Sequence, residues 1–166
     1  MKRTFIFLLF LTCYQLKGQS WFMGNEFPGV ERDDGTSFSI GNYVYCGTGI
    51  VPFRLLGDFY AFDLTTESWS EIAKLPLGEE RQYASGFSND SMGFIFGGEI
   101  DNGFLNDLWQ YNPQADSWIQ LSSLPGVVRG GASSFVIDSF AYIAGGRNTN
   151  TEALSEFWRY NMNTED

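Results

Sequence analysis

Hydrophobic and polar positions alternate along short stretches of this chain with a period of two residues. In the stretch DLWQY, Asp107, Trp109 and Tyr111 fall on one side, while Leu108 and Gln110 fall on the other. Such alternation is typical of β-strands, in which successive side chains point to opposite faces of a sheet. Because both sides carry apolar groups, the pattern predicts a sheet packed between two neighbours.

Other short stretches accompany this one in a fixed order. A strand with small residues, such as ASGFS, precedes an apolar run that ends in glycines, such as GFIFGG, and a stretch carrying Ser-Trp comes last. Polar residues at 89–91 and 138–139 predict tight turns between the first two stretches. Each unit is therefore predicted to hold four strands, a to d, of which the acid-aromatic phrase is strand c.

The four-strand unit recurs with a spacing of 48 or 49 residues. A fixed period of this length indicates a repeat architecture. The markers that recur in the same order are a tryptophan in strand d (Trp21, Trp69, Trp118), an arginine before strand a (Arg32, Arg81, Arg129), a phenylalanine in strand a (Phe38, Phe87, Phe135) and an acid that opens strand c (Asp58, Asp107, Glu156).

The order of these markers resembles the kelch repeat of β-propeller proteins, and the resemblance covers residues 19–166. It implies an all-β fold, a kelch-type β-propeller of four-stranded antiparallel blades. The first unit departs from the pattern, since CGTG at 46–49 stands where the family has a glycine pair, so the turn there is expected to differ. The structural repeat positions are Trp21, Trp69, Trp118, Gly97, Gly98, Gly145, Gly146, Tyr111 and Tyr160.

The repeat also divides the chain into parts. A blade-closing strand is predicted at 19–26, whole blades at 27–75 and 76–124, and strands a to c of another blade at 125–166. These parts make about three blade equivalents, whereas propellers typically have roughly 4–8 blades. Two explanations stay open: a longer reading frame, or two chains that join head to tail as a six-bladed ring in which Trp21 completes the partner's blade.

The glycine pairs and the tryptophans have expected packing roles. Glycine allows positive φ and lets a ring approach the backbone, so Trp118 is expected to lie over Gly97 and Gly98 of its own blade. Small residues in strand a suit the narrow end of a wedge near the propeller axis. The fixed register of Trp69, Trp109, Trp118 and Trp158 indicates core residues rather than a platform for sugars.

The amino terminus carries the pattern of an export signal. Lys2 and Arg3 precede a short apolar stretch, and polar and small residues follow it, which predicts a secretory signal peptide at 1–18. The apolar stretch is much shorter than the roughly 20 residues that a membrane-spanning helix needs. A secreted or periplasmic protein, or one at the cell surface, is therefore expected.

Charge and cysteine content restrict the partners. The formal net charge is −10, and removal of the predicted leader would make the chain more acidic, so nucleic acid is not an expected partner. Cys46 would be the one cysteine of the mature chain and cannot form an internal disulfide. Its place in the apolar run NYVYC indicates a buried, inert thiol.

The loops at one end of the blades are the candidate binding face. In an antiparallel meander the d-to-a and b-to-c connections leave the sheet at the same end, and here the b-to-c loops are long and varied. Arg32, Arg81 and Arg129 recur beside this end and could bind a carboxylate or an anionic sugar, or could pair with the strand c acids. Arg147 and Phe104, in loops that differ between units, are further candidates for ligand binding.

The residue types favour binding over catalysis. The chain has no histidine, which excludes Ser-His-Asp and Cys-His sites and the usual zinc and copper sites, so no metal and no cofactor are expected. The predicted function is a secreted kelch interaction module that binds a protein or an anionic glycan. The alternative is a periplasmic sugar-modifying enzyme resembling N-acetylneuraminate epimerase, with Glu79, Glu80 or Glu99 as acid or base, and a purely structural surface protein is a third hypothesis.

Overall fold

The computed structural model describes residues 21–149 and 152–164, and the predicted leader at 1–18 lies outside them. The described residues form thirteen β-strands and no helix, so they contain no helix that could cross a membrane. Most strands belong to antiparallel sheets of three or four strands that follow one another along the chain. The predicted all-β fold of four-stranded antiparallel blades is confirmed.

The first blade is a four-stranded sheet with the order β1-β2-β5-β6, and a short hairpin, β3-β4, occupies its b-to-c loop. All neighbouring strands are antiparallel and pair without a register shift. The strands are β1 (Thr36–Ile40), β2 (Tyr43–Gly47), β3 (Ile50–Val51), β4 (Arg54–Leu55), β5 (Phe59–Asp63) and β6 (Ser68–Ile72).

The second blade has four strands and the third has three, in the same a, b, c order. A bulge between Phe96 and Gly98 interrupts the pairing of strands b and c in the second blade. Its strands are β7 (Ser85–Ser88), β8 (Gly93–Ile100), β9 (Gly103–Asn112) and β10 (Ser117–Leu121), and those of the third blade are β11 (Ser133–Ile137), β12 (Phe140–Ala144) and β13 (Phe157–Asn161).

Small residues allow the inner strands of successive blades to approach closely. Strands β1, β7 and β11, which are strand a of each blade, are neighbours. A Cβ on Gly86 would lie 2.3 Å from the carbonyl oxygen of Ser37, so glycine is required there. The hydroxyls of Ser85 and Ser134 donate across the blade boundaries to the carbonyls of Ala132 and Gly86, both at 2.7 Å. The blades are therefore joined at the inner strands by backbone contacts as well as by side chains.

Aromatic side chains fill the space between the first and second blades. Phe38 and Phe59 of the first blade contact Trp118 of the second, with ring centroids 6.2 and 4.8 Å apart, and Tyr45 contacts Tyr111 at 5.5 Å. All of these rings are buried. The second boundary repeats the arrangement, since Phe87, Phe94 and Leu108 pack against Ala141, Ile143, Trp158, Tyr160 and Met162.

The prediction that Trp118 covers the glycines of its own blade is wrong. Trp118 pairs with Tyr111, which pairs with Gly93 at the opposite end of strand b from Gly97 and Gly98. The indole nitrogen donates to the carbonyl of Ala73 in the preceding d-to-a connection, at 2.8 Å. The ring therefore closes the boundary between two blades instead of filling space within one.

The described part of the predicted blade-closing strand, residues 21–26, has no regular structure. Trp21 is 97% exposed, and the fourth strand of the first blade is β6, which carries Trp69. Farther along, the Asn25 carbonyl accepts from the Trp69 indole at 3.2 Å, and Phe27 contacts Tyr60 at 5.0 Å between centroids. Residues 25–27 thus pack on the first blade in the same way as residues 73–75 pack on the second blade.

Candidate functional site

The recurring arginines make the same contacts in all three blades. Arg32, Arg81 and Arg129 each donate to the carbonyl of the residue sixteen positions later, which is Thr48, Gly97 or Gly145, at 3.0–3.1 Å. Each guanidinium also pairs with the acid that opens strand c. Arg32 contacts both oxygens of Asp58 at 2.6 and 2.7 Å, Arg81 contacts Asp107 at 2.6 Å, and Arg129 contacts Glu156.

The acid of each pair has a second donor on the aromatic residue two positions later. The Trp109 indole donates to Asp107 at 2.7 Å, and the Trp158 indole donates to Glu156 at 2.8 Å. In the first blade the Tyr60 hydroxyl donates to Asp58. Charge-assisted hydrogen bonds of this kind are stronger than neutral ones, and the aromatic donor fixes the orientation of the carboxylate.

The paired arginines are structural in this conformation. The side chains of Arg81 and Arg129 are completely buried, and that of Arg32 is 9% exposed. Of the two interpretations that the sequence left open, the observed contacts are those of the ion pair with the strand c acid. These guanidinium groups tie the d-to-a connection to the ends of strands b and c, and they do not present a free cationic ring to a ligand.

The environment of the acids changes their titration. Burial raises the pKa of Asp58, but the hydrogen bond and charge of Arg32 outweigh that effect, so the pKa lies below its ordinary value. The hydrogen bond from Trp158, followed by that from Arg129, lowers the pKa of Glu156. Both carboxylates therefore stay charged, and their ion pairs stay intact, to lower pH than those of isolated acids.

Thr48 occupies the position of the first glycine of the pair and keeps its backbone conformation. Its φ is 55°, beside 59° for Gly97 and 68° for Gly145, and Gly49, Gly98 and Gly146 also have positive φ. The expectation that the first turn differs is therefore wrong. The shared contact of this carbonyl with the arginine requires the same turn, and Thr48 adopts the left-handed region to make it.

Arg147 and Phe104, predicted as binding residues on different loops, lie together at the loop end of the blades. The Arg147 guanidinium lies 5.9 Å from the centroid of Phe104 and 4.8 Å from that of Tyr83, and it pairs with Glu99 at 2.9 Å. Its side chain is 38% exposed. A hydrogen bond to Asp34 raises the pKa of Tyr83. The prediction that Phe104 lies in a long b-to-c loop is wrong, because Phe104 in β9 pairs with Glu99 in β8 and only a short turn joins the two strands. The cluster joins residues of all three blades and remains partly open to solvent.

A groove of about 1000 Å³ lies between loops of the first and second blades. Phe53, at the tip of the β3-β4 hairpin, and Leu77, in the following d-to-a connection, are fully or almost fully exposed. Val30 is 48% exposed on the same end. Charged groups also line it, namely Arg54, Asp58, Lys74, Glu80 and Asp101.

Sequence reasoning located this end of the blades but missed the projecting apolar residues. Phe53 and Leu77 fall outside the repeat markers, and each follows a proline. The sequence alone does not distinguish an apolar residue in this position that projects into solvent from one that folds inward. The available signal was their position in the d-to-a and b-to-c loops. Only the course of the hairpin shows that Phe53 points away from the sheet.

The predicted acid and base candidates and the cysteine have the following surroundings. Residues 21–149 and 152–164 contain no group of three or more His, Cys, Asp or Glu side chains that could hold a metal ion. Burial raises the pKa of the Cys46 thiol more than the charge of Arg32 lowers it, so this thiol is a poor nucleophile. Glu79 pairs with Arg81 and Glu99 pairs with Arg147, so both are engaged in ion pairs.

Comparison with known proteins agrees with this geometry. Residues 11–166 match the family model described as the KLHDC2/KLHL20/DRC7 Kelch-repeats domain. No curated protein matches the chain. The match spans all three blades, whose strand order and repeated arginine contacts are described above. The chain therefore belongs to the Kelch-repeat domain family.

Proposed function

We propose that the protein is an interaction module that binds a partner protein in the groove between the loops of its first and second blades. Kelch domains mediate protein interactions, and the family assignment supports this class of function. The observation that carries the choice of surface is the exposure of Phe53, Leu77 and Val30 around one groove. Exposed apolar side chains rimmed by charges are typical of protein-binding sites.

The groove suits a peptide segment with apolar side chains. Phe53 and Leu77 are large enough to act as anchors, and Arg54, Lys74, Glu80 and Asp101 provide both signs of charge at the rim. The repeated arginine pairs hold the loops that carry these residues, so the surface is largely formed before binding. A preformed site avoids part of the entropy cost of ordering the loops.

Selection of peptides from a random displayed library tests the proposal. Selected peptides should bind the wild-type chain, and Phe53→Ser together with Leu77→Ser should weaken their binding by at least about tenfold, a loss of roughly 1.4 kcal/mol. Ile119→Ser is the control, because Ile119 is 52% exposed on β10. Failure to select any peptide, or binding that resists the double substitution, would overturn the proposal.

Export of the protein is part of this proposal. Its support is the basic and apolar pattern of residues 1–18, which lie outside the described residues. Amino-terminal sequencing of the protein recovered from the medium or periplasm should begin near Gln19. An intact amino terminus on a protein retained in the cell would contradict export.

An anionic glycan ligand and an epimerase activity stay predictions. Their main sequence support was the row of recurring arginines and the nearby glutamates, and the contacts of these groups with one another reduce that support. Arg147, with Phe104 and Tyr83 beside it, is the remaining partly exposed cation among the proposed ligand residues. Screening of sialic acids against wild type and Arg147→Met would test both predictions.

A further inference from the structure

The β3-β4 hairpin of the first blade has one covered edge and one free edge. The N–H of Ile50 in β3 donates to the carbonyl of Asp33 at 2.9 Å, and the N–H of Asp33 donates back at 3.0 Å. Leu55 lies opposite Ile50 in β4. Where the backbone groups of one residue of such a pair point outward, those of its partner point outward on the other side. The N–H and C=O of Leu55 therefore point away from β3.

The free edge of β4 is part of the groove between the first and second blades. Among the described residues, no backbone hydrogen bond involves the N–H or C=O of Leu55. Two residues later, the Gly57 carbonyl accepts from the N–H of Leu75 at 2.8 Å, and the d-to-a connection then turns between Pro76 and Glu79. Leu55 is half-buried and lines the groove. The groove thus has a backbone donor and acceptor in its wall.

We propose that a partner protein adds a segment in extended conformation to the free edge of β4, with backbone hydrogen bonds to Leu55. The inference rests on the proposed function, because it gives the conformation in which the partner occupies the groove. Strand addition takes affinity from main-chain hydrogen bonds and specificity from pockets for alternate side chains. The groove offers both, since exposed Phe53 and Leu77 lie beside the edge.

The turn of the hairpin supports this use of the edge. Pro52 and Phe53 connect the two strands, and Phe53 has φ 63°, a conformation that is uncommon for a bulky residue. Its side chain is fully exposed, so packing within the blades does not offset the strain. Residues in strained conformations cluster at functional sites. A ring held in this way beside a free edge is suited to a contact that a partner provides.

The groove also indicates the composition of the added segment. Side chains of a strand alternate between its two faces, so every second residue of the segment would face the groove. These residues would meet Phe53, Leu77 and Ile100, which line the groove. The partner segment is therefore expected to carry apolar residues in alternation with polar ones over one short strand.

The described amino-terminal residues lie at the other end of the first blade. The Asn25 carbonyl accepts from the indole of Trp69 at 3.2 Å, and the Asn25 amide donates to the carbonyl of Glu67. Glu67 belongs to the c-to-d turn, whereas the β3-β4 hairpin belongs to the b-to-c loop. We therefore assign the free edge to a partner, and coverage by other residues of this chain is an outcome of the test.

Hydrogen exchange measured by NMR on the chain tests strand addition directly. The probe is a peptide selected from the displayed library against the wild-type chain. The Leu55 amide should exchange rapidly in the free protein and at least about tenfold more slowly at saturating peptide, because a new hydrogen bond would protect it.

Two other amides are internal controls. The N–H of Leu56 donates to the carbonyl of Gly49 at 2.9 Å and should be protected with and without peptide. Phe104 holds the place of Leu55 in the second blade, where it pairs with Glu99, but it does not line the groove. Its amide should therefore exchange at the same rate in both states.

A matched pair of substitutions at Leu55 separates the backbone from the side chain. Leu55→Pro removes the N–H, and proline is tolerated in an edge strand where that group faces solvent. This variant should bind the peptide at least about tenfold more weakly, whereas Leu55→Ala, which keeps the N–H, should lose less than about threefold. Circular dichroism shows whether both variants are folded. Peptides N-methylated at one residue at a time replace the test should Leu55→Pro not fold, and one position should lose at least about tenfold in affinity.

The outcomes distinguish this inference from the proposed function. Slower exchange at Leu55, with weak binding by Leu55→Pro and near-normal binding by Leu55→Ala, supports strand addition. A peptide that requires Phe53 and Leu77 but leaves exchange at Leu55 unchanged overturns strand addition and leaves the proposed function intact. A Leu55 amide that is already protected in the free chain also overturns strand addition, since residues of the chain itself would cover the edge. Failure to select any peptide overturns both.

Discussion

At the residue scale, the arginine that precedes each strand a connects strands b and c of its blade through hydrogen bonds and an ion pair. A buried guanidinium is costly unless its charge is paired and its donors are satisfied. Arg81 meets both conditions with Asp107, Glu79 and the carbonyl of Gly97. The same set of contacts explains why an acid opens every strand c.

Loss of this arginine should destabilise the fold strongly. Arg81→Met leaves the buried Asp107 without its cation, which typically costs about 3–5 kcal/mol. Arg147→Met is the control, because the Arg147–Glu99 pair is partly exposed and pairs of that kind contribute about 1 kcal/mol or less. Urea denaturation of both variants measures the difference. Similar losses would show that burial of the pair has no energetic consequence.

Thr48 is a strained residue whose replacement should stabilise the protein. A non-glycine residue in the left-handed region costs about 1–3 kcal/mol, and the buried Thr48 hydroxyl has no hydrogen-bond partner among the described residues. Glycine increases the conformational entropy of the unfolded chain, which lowers the free energy of unfolding by about 0.5–1 kcal/mol, less than the strain that the substitution removes. Thr48→Gly should therefore raise the free energy of unfolding by about 1–2 kcal/mol.

Gly97→Thr is the matched reverse of this substitution. Gly97 has φ 59°, and an added Cβ would lie 2.5 Å from the carbonyl oxygen of Arg129. This variant should lose stability in the same denaturation experiment. A Thr48→Gly variant less stable than wild type would show that the threonine makes a favourable contact that outweighs its strain.

At the element scale, acid should loosen the connections that the ion pairs hold. The pKa values of Asp58 and Glu156 are lower in the folded protein than in the unfolded chain, so their stabilisation is complete above the unfolded values. It is lost as pH falls below about 4 toward the lowered folded values. Thermal melts at decreasing pH should show this decline, and Asp58→Asn should make it shallower than the exposed control Asp90→Asn does.

Contact between blades should be sensitive to a single methyl group. Gly93→Ala places a Cβ on the ring of Phe38, so either the ring or strand β8 must move. Overpacking of this kind typically costs about 1–3 kcal/mol. Gly24→Ala is the control, because no atom lies within 4 Å of an added Cβ there. Equal melting temperatures of the two variants would contradict the close packing of the first boundary.

At the scale of the whole molecule, each blade depends on its neighbours for burial. The sheets are narrow and apolar on both faces, so the first two blades bury their rings only where another blade covers them. The third blade shows the consequence, since Phe135, Ile137 and Phe157 are exposed. Stability of the first two blades is therefore expected to depend on the side chains that fill the boundaries between blades.

The binding surface belongs to this scale as well. Residues of the groove come from the loops of two blades. In the cluster around Arg147, this residue of the third blade contacts Tyr83, Glu99 and Phe104 of the second blade. Sequence reasoning placed Arg147 and Phe104 on the correct end of the blades and could not show that they touch. Their contact depends on how one blade is rotated against the next, which no local pattern records.

The sequence by itself determined the period, the four-strand unit and the membership in a repeat family, because these follow from alternation and recurrence along the chain. Tertiary structure decided whether the arginines face a ligand or the strand c acids, since both choices have the same spacing. It also decided that Trp118 covers the preceding blade and that Thr48 keeps the glycine turn. These outcomes depend on packing between distant residues, where one guanidinium or one ring has several partners within reach and burial selects among them.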